Sequence, residues 1–580
     1  MSLFLEIIVP EIRRFLSGKE TPIKGMIKAR RGLTDIARTL LTSQSAVHNG
    51  GIYRHIIDRY EPKIAPPNTC QSPGSESGNV AGKTQHRIDP PAGNHPIHLS
   101  PSHPVSRDVF LHTTSKSPPN YRLFPTRKLR DLPTALPTFD SYPPLPSPPR
   151  SLDFVPGYNL TTHIIPASYP RQSFLEPRRY PHLESVPFAS PPPEEKRKRQ
   201  AWAFDTGTKL RGKQAALLKL RTKSHDSEAK NDPWESRGPV LWNVVNRYAR
   251  IGAPKDQKAI GITVVMSHGN GFHKELWEPT IKHLISLCDH LSSGIHIDEI
   301  WSIDTTNCGD SALLNEKYLG DVCDWIDHVR DILNLVENFI PEGPFVASTQ
   351  SLPVHLRRVS FDCSLRREKS GFHNRNVVAM GHSSGGCVIA NAACASPSIF
   401  HSITLVDPII FPEGNRRPDR WVMGALVRRQ SWSSREEAKA NFLRNPFFSV
   451  WVPEVLDLHV KYGLADTPPL EGGGVRLKTS SFGEAVCYAD DNFEKETYQI
   501  LRELDEKVKI KWIMAREPLY ENIVDLTQAT VWRRPVNSSN VKVDSSHTIP
   551  QEVPLELAKE TLYGWQDMYA EKADSIRTRL

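Results

Sequence analysis

The chain predicts an α/β protein with a mostly parallel central sheet and helices on both faces, preceded by a long disordered N-terminal region. Three observations carry this. From about residue 238 onward, β-branched runs alternate with helical stretches, the texture of a sheet covered on both sides. Val377-Val-Ala-Met-Gly-His-Ser-Ser-Gly-Gly386 ends an apolar run in a glycine-flanked serine and leads into the small-residue stretch Cys387–Cys394. The 49 prolines are concentrated before residue 200, where fixed φ and missing amide donors defeat helix and ladder alike.

Residues 1–200 therefore read as a disordered proline-rich region, with short helices expected only within 3–17 and 26–41. Residues 201–237 read as a linker or extension, 238–575 as the folded domain, and 576–580 as a tail. Glu194-Glu-Lys-Arg-Lys-Arg199 reads as a solvated charged linker, ahead of a nuclear-import patch. The net charge of +8 is dispersed, so no nucleic-acid surface is expected. No run approaches the length of a membrane span. Eight cysteines at irregular spacing read as buried thiols in a reducing compartment, and no metal-ligand set or cofactor is expected.

Within the folded part, Ala259–Met266 reads as a buried parallel strand running into Ser267-His-Gly-Asn-Gly-Phe-His273. A polar loop after a central strand can aim backbone N–H groups at a reacting carbonyl, so Asn270, then Gly271, are the expected loop donors of an oxyanion hole, with the amide of Ser384 as the other half. Ile297–Ile303 reads as the next strand and Tyr318–Ile340 as a helix. Asp310 and Ser311 are expected to organise the intervening loop rather than do chemistry. Residues 341–376 are too long and too aperiodic for an αβ connection and read as a dispensable surface insertion. Gly381-His-Ser-Ser-Gly385 is the motif of a sharp strand-to-helix turn that lifts Ser383 out of the backbone, with glycines where a Cβ would clash.

His401–Asp407 reads as a strand ending in a carboxylate, residues 411–504 as a helical lid, Lys507–Met514 as a strand, and Ser538–Val543 as the strand delivering His547. In the lid, Arg435–Phe448 and Pro453–Leu464 read as helical; Trp432, Phe442, Phe447, Phe448 and Trp451 either line an apolar pocket or pack the lid onto the sheet. The order Ser383, acid, His547 is that of α/β-hydrolases. Asp407 is favoured as the acid, with Glu517 as the alternative after the penultimate strand. Ser383 at the turn disfavours epoxide hydrolase and dehalogenase chemistry, which needs a carboxylate there.

Residues 240–570 resemble fungal α/β-hydrolases of host-selective-toxin biosynthesis, related to peroxisomal lipase-like serine hydrolases. The carrying motifs are Leu241-Trp-Asn-Val-Val-Asn-Arg-Tyr248, His268-Gly-Asn-Gly-Phe-His-Lys-Glu-Leu-Trp277, Asp298–Asp304 and Gly381–Gly386. The resemblance implies an α/β-hydrolase fold and a serine hydrolase of secondary metabolism acting on an ester or thioester of an apolar small molecule or lipid. The alternatives are a non-catalytic small-molecule binding protein and an acyltransferase. Thr578-Arg579-Leu580 is similar to a peroxisomal address with an atypical first residue, so a cytoplasmic or peroxisomal location is expected. A chain beginning near 230 is expected to keep the fold.

Overall fold

The computed structural model describes residues 97–98, 142–169, 171, 193–226, 240–254, 256–290, 293–342, 352–412, 418–517, 519 and 524–577. The expected helices within 3–17 and 26–41 and the Thr578-Arg579-Leu580 tripeptide lie outside them.

The strands are β1 (Ile97–His98), β2 (Asp153–Val155), β3 (Tyr158–Pro166), β4 (Trp242–Arg250), β5 (Ile260–Ser267), β6 (Ile295–Ile303), β7 (Asn376–His382), β8 (Ser402–Val406), β9 (Ser431–Trp432), β10 (Leu464–Asp466), β11 (Val475–Leu477), β12 (Lys509–Ala515) and β13 (Ser538–Val543). Ten of them form one sheet in the order β1-β13-β12-β8-β7-β5-β6-β4-β3-β2. The run from β13 to β6 is parallel. Antiparallel strands finish both edges, β4, β3 and β2 on one side and β1 on the other. The largely apolar runs of β5, β7 and β8 suit strands buried on both faces, and β7 and β8 are buried almost throughout.

The helices that position the site are α1 (Pro193–Asp226), α2 (Glu278–His290), α3 (Gly309–Asn315), α4 (Trp325–Asn334), α5 (Phe361–Ser370), α6 (Ser384–Ala395), α7 (Asp419–Val427), α8 (Arg435–Leu443), α9 (Pro446–Ser449), α10 (Pro453–Tyr462), α11 (Ser481–Ala489), α12 (Phe493–Leu501), α13 (Val524–Val531), α14 (Ile549–Glu552) and α15 (Pro554–Arg577). One face of the sheet is covered by α4, α6 and α12, whose Trp325, Ile389 and Leu501 share a core with Val265, Ala379 and Trp512. The opposite face is covered by α2 and α15, through Ile281, Leu284, Leu557 and Trp565. The expected helix from Tyr318 begins only at Trp325, where the Asp324 carboxylate accepts from the Ile326 amide, and it ends in a π-helical turn, Leu335–Phe339.

Three sequence expectations need correction. Residues 1–200 are not uniformly without structure, because β3 pairs with β4 over nine positions and buries Tyr158, Leu160, Ile164 and Ile165 completely or nearly so. Pro166 stands at the end of β3 and Gly157 in the turn before it, so proline and glycine bound a strand here instead of abolishing it. The charged stretch 194–199 and the expected linker 201–237 are largely one helix, α1, whose Ala203 and Leu210 pack with Val422 and Leu426 of α7 and Val486 of α11.

The described residues of the 341–376 segment are likewise built in. Its Leu356 amide donates to the Ile164 carbonyl (3.2 Å), and the Ile164 amide donates to Val354 (2.7 Å), so the segment runs alongside β3. Ser360 caps α5, and the buried Arg367 guanidinium donates to the carbonyls of Val336, Glu337 and Ile340 at the end of the preceding helix. Those carbonyls have no intrahelical partner, and a cation satisfies both their hydrogen bonds and the helix dipole.

Between β8 and β12 the chain makes α7 to α12 and a small antiparallel sheet, β10-β11-β9. Trp432, Phe442, Phe448 and Trp451 are buried against one another with Val455 and Leu456. Those four aromatics pack this segment, whereas Phe447 is 46% exposed.

Candidate functional site

At the carboxyl end of β7 the backbone reverses into α6 at Ser383, whose φ of 57° and ψ of −121° lie where L-residues are rarely found. Such a conformation costs about 1–3 kcal/mol and persists only where surroundings enforce it. Two hydrogen bonds do so: the Ser383 amide donates to Val406 (3.0 Å) and its carbonyl accepts from Ile409 (3.0 Å). A Cβ on Gly381 would fall under 3.0 Å from the Gly385 carbonyl, and one on Gly385 would strike the Ser267 and His268 carbonyls. The close approach of backbone to backbone thus requires both glycines, as the motif implies.

Asp407 follows β8 directly, with a positive φ of 38° and its amide bonded to Ile513 (2.8 Å). Its Oδ1 accepts from the Ala515 amide (3.2 Å), which leaves Oδ2 aimed across the end of the sheet. There it meets His547 Nδ1 at 2.6 Å, while His547 Nε2 lies 2.8 Å from Ser383 Oγ. The imidazole and the carboxylate are 16% and 12% exposed, shielded but reachable. Glu517, the alternative acid, is exposed, and the ring nitrogen it would have served is taken by Asp407. The loop carrying His547 is tied at Ser546 and Thr548 to the Glu552 carboxylate, and its His547 carbonyl accepts from His382 Nε2 (2.8 Å). Burial, then the neighbouring His547, holds His382 well below the usual imidazole range, so it is a neutral donor.

Against this group lies the loop after β5. A Cβ on Gly269 would sit 3.2 Å from Ser383 Cβ, so the loop backbone passes directly beside the serine. His268 fixes its start: Nδ1 donates to the Gly269 carbonyl (2.8 Å) and Nε2 accepts from the Thr305 amide (3.3 Å). This arrangement needs a neutral ring, and burial pushes His268 down to about 3. Asn270 donates through Nδ2 to the Glu484 carbonyl (3.1 Å), and Gly271 has a φ of 79°. Of the three expected oxyanion residues, Asn270 and Ser384, the first residue of α6, border one small cavity together with Gly269, while Gly271 is not among the residues that line it.

Sequence reasoning missed what holds this loop. Lys274 is fully buried, its ammonium within 2.9 Å of Asp304, 2.7 Å of Asp310 and 2.8 Å of Glu275, while Lys478 adds a second cation on Asp310 at 2.6 Å. The surrounding carboxylates outweigh burial and keep Lys274 charged. Asp310 and Ser311 are indeed loop organisers, the latter donating to the Asp304 carbonyl (3.1 Å) and accepting from the Val244 amide (2.8 Å). The HGNGFHKE motif carried the signal, since a lysine beside an otherwise apolar strand end needs buried anions. Also unread were Cys323, His328 and Cys487, whose two sulfurs and one ring nitrogen lie within 4.8 Å of one another although Cys487 is 164 residues from Cys323. An aromatic column leads to the serine: Phe447 stacks on Phe272 (6.5 Å), which stacks on His382 (6.0 Å).

Residues 264–558, half of the chain, match the Alpha/beta hydrolase family. Among curated proteins, the chain is 30% identical over 216 residues to the type I acyl-CoA thioesterase mpaH of Penicillium roqueforti, covering 36% of this chain and 41% of that protein. It is 35% identical over 137 residues to an abhydrolase domain-containing protein of Alternaria alternata, covering 22% and 50%. It is 23% identical over 252 residues to the peroxisomal membrane protein LPX1 of Saccharomyces cerevisiae, covering 40% and 57%. The matched stretches thus span about half the length of these relatives. The crystal structure of the peroxisomal alpha-beta-hydrolase Lpx1 of Saccharomyces cerevisiae superposes with a TM-score of 0.47 at 17% identity, covering 71% of this chain and 89% of that one. The sheet order, the turn at Ser383 and the match over half its length make this chain a member of the alpha/beta hydrolase family.

Proposed function

We propose that the protein is a serine hydrolase that cleaves a carboxylic ester or thioester of an apolar small molecule. The observation that carries this reading is the relay from Asp407 Oδ2 through His547 to Ser383 Oγ, at 2.6 and 2.8 Å. In it, His547 holds its proton on Nδ1 toward Asp407 and accepts the Ser383 proton on Nε2 as the oxygen attacks the carbonyl carbon. The Ser384 amide and an amide of the Asn270-Gly271 loop hold the tetrahedral oxyanion. The imidazolium, steadied by Asp407, then hands its proton to the departing alcohol or thiol. Water, deprotonated by the same Nε2, attacks the acyl group and Ser383 is restored.

Residues 411–504 act as the lid, and the Phe447–Phe272 column is the apolar wall along which an acyl chain reaches Ser383. The thioesterase name of the Penicillium relative favours a thioester substrate, and the peroxisomal name of the yeast relative favours a peroxisomal location. Among the described residues no helix is long and apolar enough to cross a membrane.

A fluorophosphonate probe followed by peptide mapping tests the chemistry: the label belongs on Ser383, and a protein that binds p-nitrophenyl acyl esters or acyl-CoA thioesters without labelling or turnover is a binding protein instead. Comparing the two substrate types at equal chain length then sorts ester from thioester.

A further inference from the structure

The small cavity bordered by Asn270 and Ser384 is also lined by Cys487 and His328. Cys487, on α11, approaches Cys323, which precedes α4, with 2.6 Å between the sulfurs. That is closer than unbonded sulfurs rest and about 0.5 Å beyond a disulfide bond. His328 Nε2 stands 4.0 Å from Cys323 Sγ. Cys323 is half-buried, and it lines a narrow cleft together with Cys487 and His328. The Cys487 thiol donating to it, with His328 beside it, draws the Cys323 thiol below the usual thiol range. The attacking member of a dithiol needs this thiolate character. The same helix holds the loop beside Ser383: the Glu484 carbonyl, three residues before Cys487, accepts from Asn270, and a Cβ on Gly271 would press on the Glu484 carboxylate.

We propose that Cys323 and Cys487 are a redox-active dithiol whose oxidation to a disulfide, by hydrogen peroxide, draws α11 toward α4 and lowers hydrolytic turnover through the Asn270-Gly271 loop. The Cys323 thiolate attacks one peroxide oxygen and hydroxide leaves, giving a sulfenic acid. The Cys487 sulfur then attacks the Cys323 sulfur, its proton leaves with the departing hydroxyl as water, and the S–S bond forms. Two electrons pass from the sulfurs to the peroxide, and the net products are one disulfide and two waters. The effect on turnover rests on the serine-hydrolase reading; the disulfide does not.

The test treats the full-length protein with hydrogen peroxide, blocks residual thiols, and maps linked peptides by mass spectrometry, with p-nitrophenyl ester turnover and fluorophosphonate labelling measured in parallel. The expected result is a Cys323–Cys487 peptide pair and a turnover reduced about five-fold or more, since sub-ångström displacement of a positioning group has effects of this order. A reducing dithiol restores the turnover. C323S keeps the reduced-state turnover and loses the response. Failure to form the link at peroxide doses that oxidise a free thiol peptide overturns the proposal, as does a link that leaves turnover unchanged. Stoichiometric zinc in the purified protein, lost together with protection of these two thiols when a chelator is added, overturns it in favour of a metal site. Ser383 labelling of the reduced protein reports separately on the hydrolase reading.

Discussion

Removing residues 1–229 would strip the sheet of β1, β2 and β3 and take α1 away from α7 and α11. The loss can be sized from β3 alone. Tyr158, Leu160, Ile164 and Ile165 are each at most 2% exposed, and full burial of such side chains contributes about 1.5–3 kcal/mol apiece, so roughly 6–12 kcal/mol goes with them. A domain's whole stability is about 5–15 kcal/mol. The deletion also uncovers β4, whose nine residues are all buried, and breaks the pairing that supports them. The chain starting at 230 is therefore expected to aggregate or to melt without a cooperative transition, whereas one starting at 140 should match the full-length protein. Differential scanning calorimetry and fluorophosphonate labelling of the two truncated chains decide it. A soluble 230–580 chain with the full-length melting temperature and full labelling would refute the reasoning and make β3 an ornament on a self-sufficient sheet.

Ser383→Ala should reduce ester turnover by about 10⁴-fold or more with melting temperature nearly unchanged, while Ser383→Gly, which relieves the positive φ, should raise stability by about 1 kcal/mol. Asp407→Asn should lower kcat by about 10⁴-fold because His547 loses its partner on Nδ1, and Glu517→Gln should change it less than about two-fold. Burial pushes the Glu337 carboxyl up to about 7 from the ordinary 4.5, against the Ser396 hydroxyl that donates to it at 3.0 Å. Between those pH values the folded chain holds a proton the unfolded chain has released, so this group's effect on stability is harmless below 4.5 and worsens as pH rises to 7. Glu337→Gln should accordingly be close to neutral at pH 4.5 and stabilising by up to roughly 3 kcal/mol at pH 8, read from urea midpoints at both.

The parallel centre of the sheet was legible because β5, β7 and β8 bury both faces and so are written in largely apolar runs, and Ser383 was legible because its turn tolerates only glycine two residues to either side. Asp407 could be ranked above Glu517 by its place at a strand end, but its pairing with His547 depends on β8 and β13 lying on either side of β12, which no local signal states. β3 was hidden by averaging: within two hundred proline-rich residues, nine residues with buried Tyr158, Leu160, Ile164 and Ile165 leave the composition unchanged. The 341–376 segment was misread for a related reason. Arg367 looks like a solvent residue in a basic stretch, and its charge finds a buried place only through three carbonyls at the end of another helix and the Glu342 carboxylate.

Ser383 and Asp407 are joined through the backbone, since the Ser383 amide bonds to Val406 and the next residue along is Asp407, itself pinned to Ile513. They ride on adjacent rigid strands and share whatever motion the sheet has. His547 does not: it hangs on a loop secured by Glu552 and by one bond from His382. The machinery thus has a single detachable part. Mild urea or warming should silence ester turnover while far-ultraviolet circular dichroism still reports an intact sheet, and the silenced molecules should regain activity on return to buffer at the speed of a loop closing, not of a protein refolding.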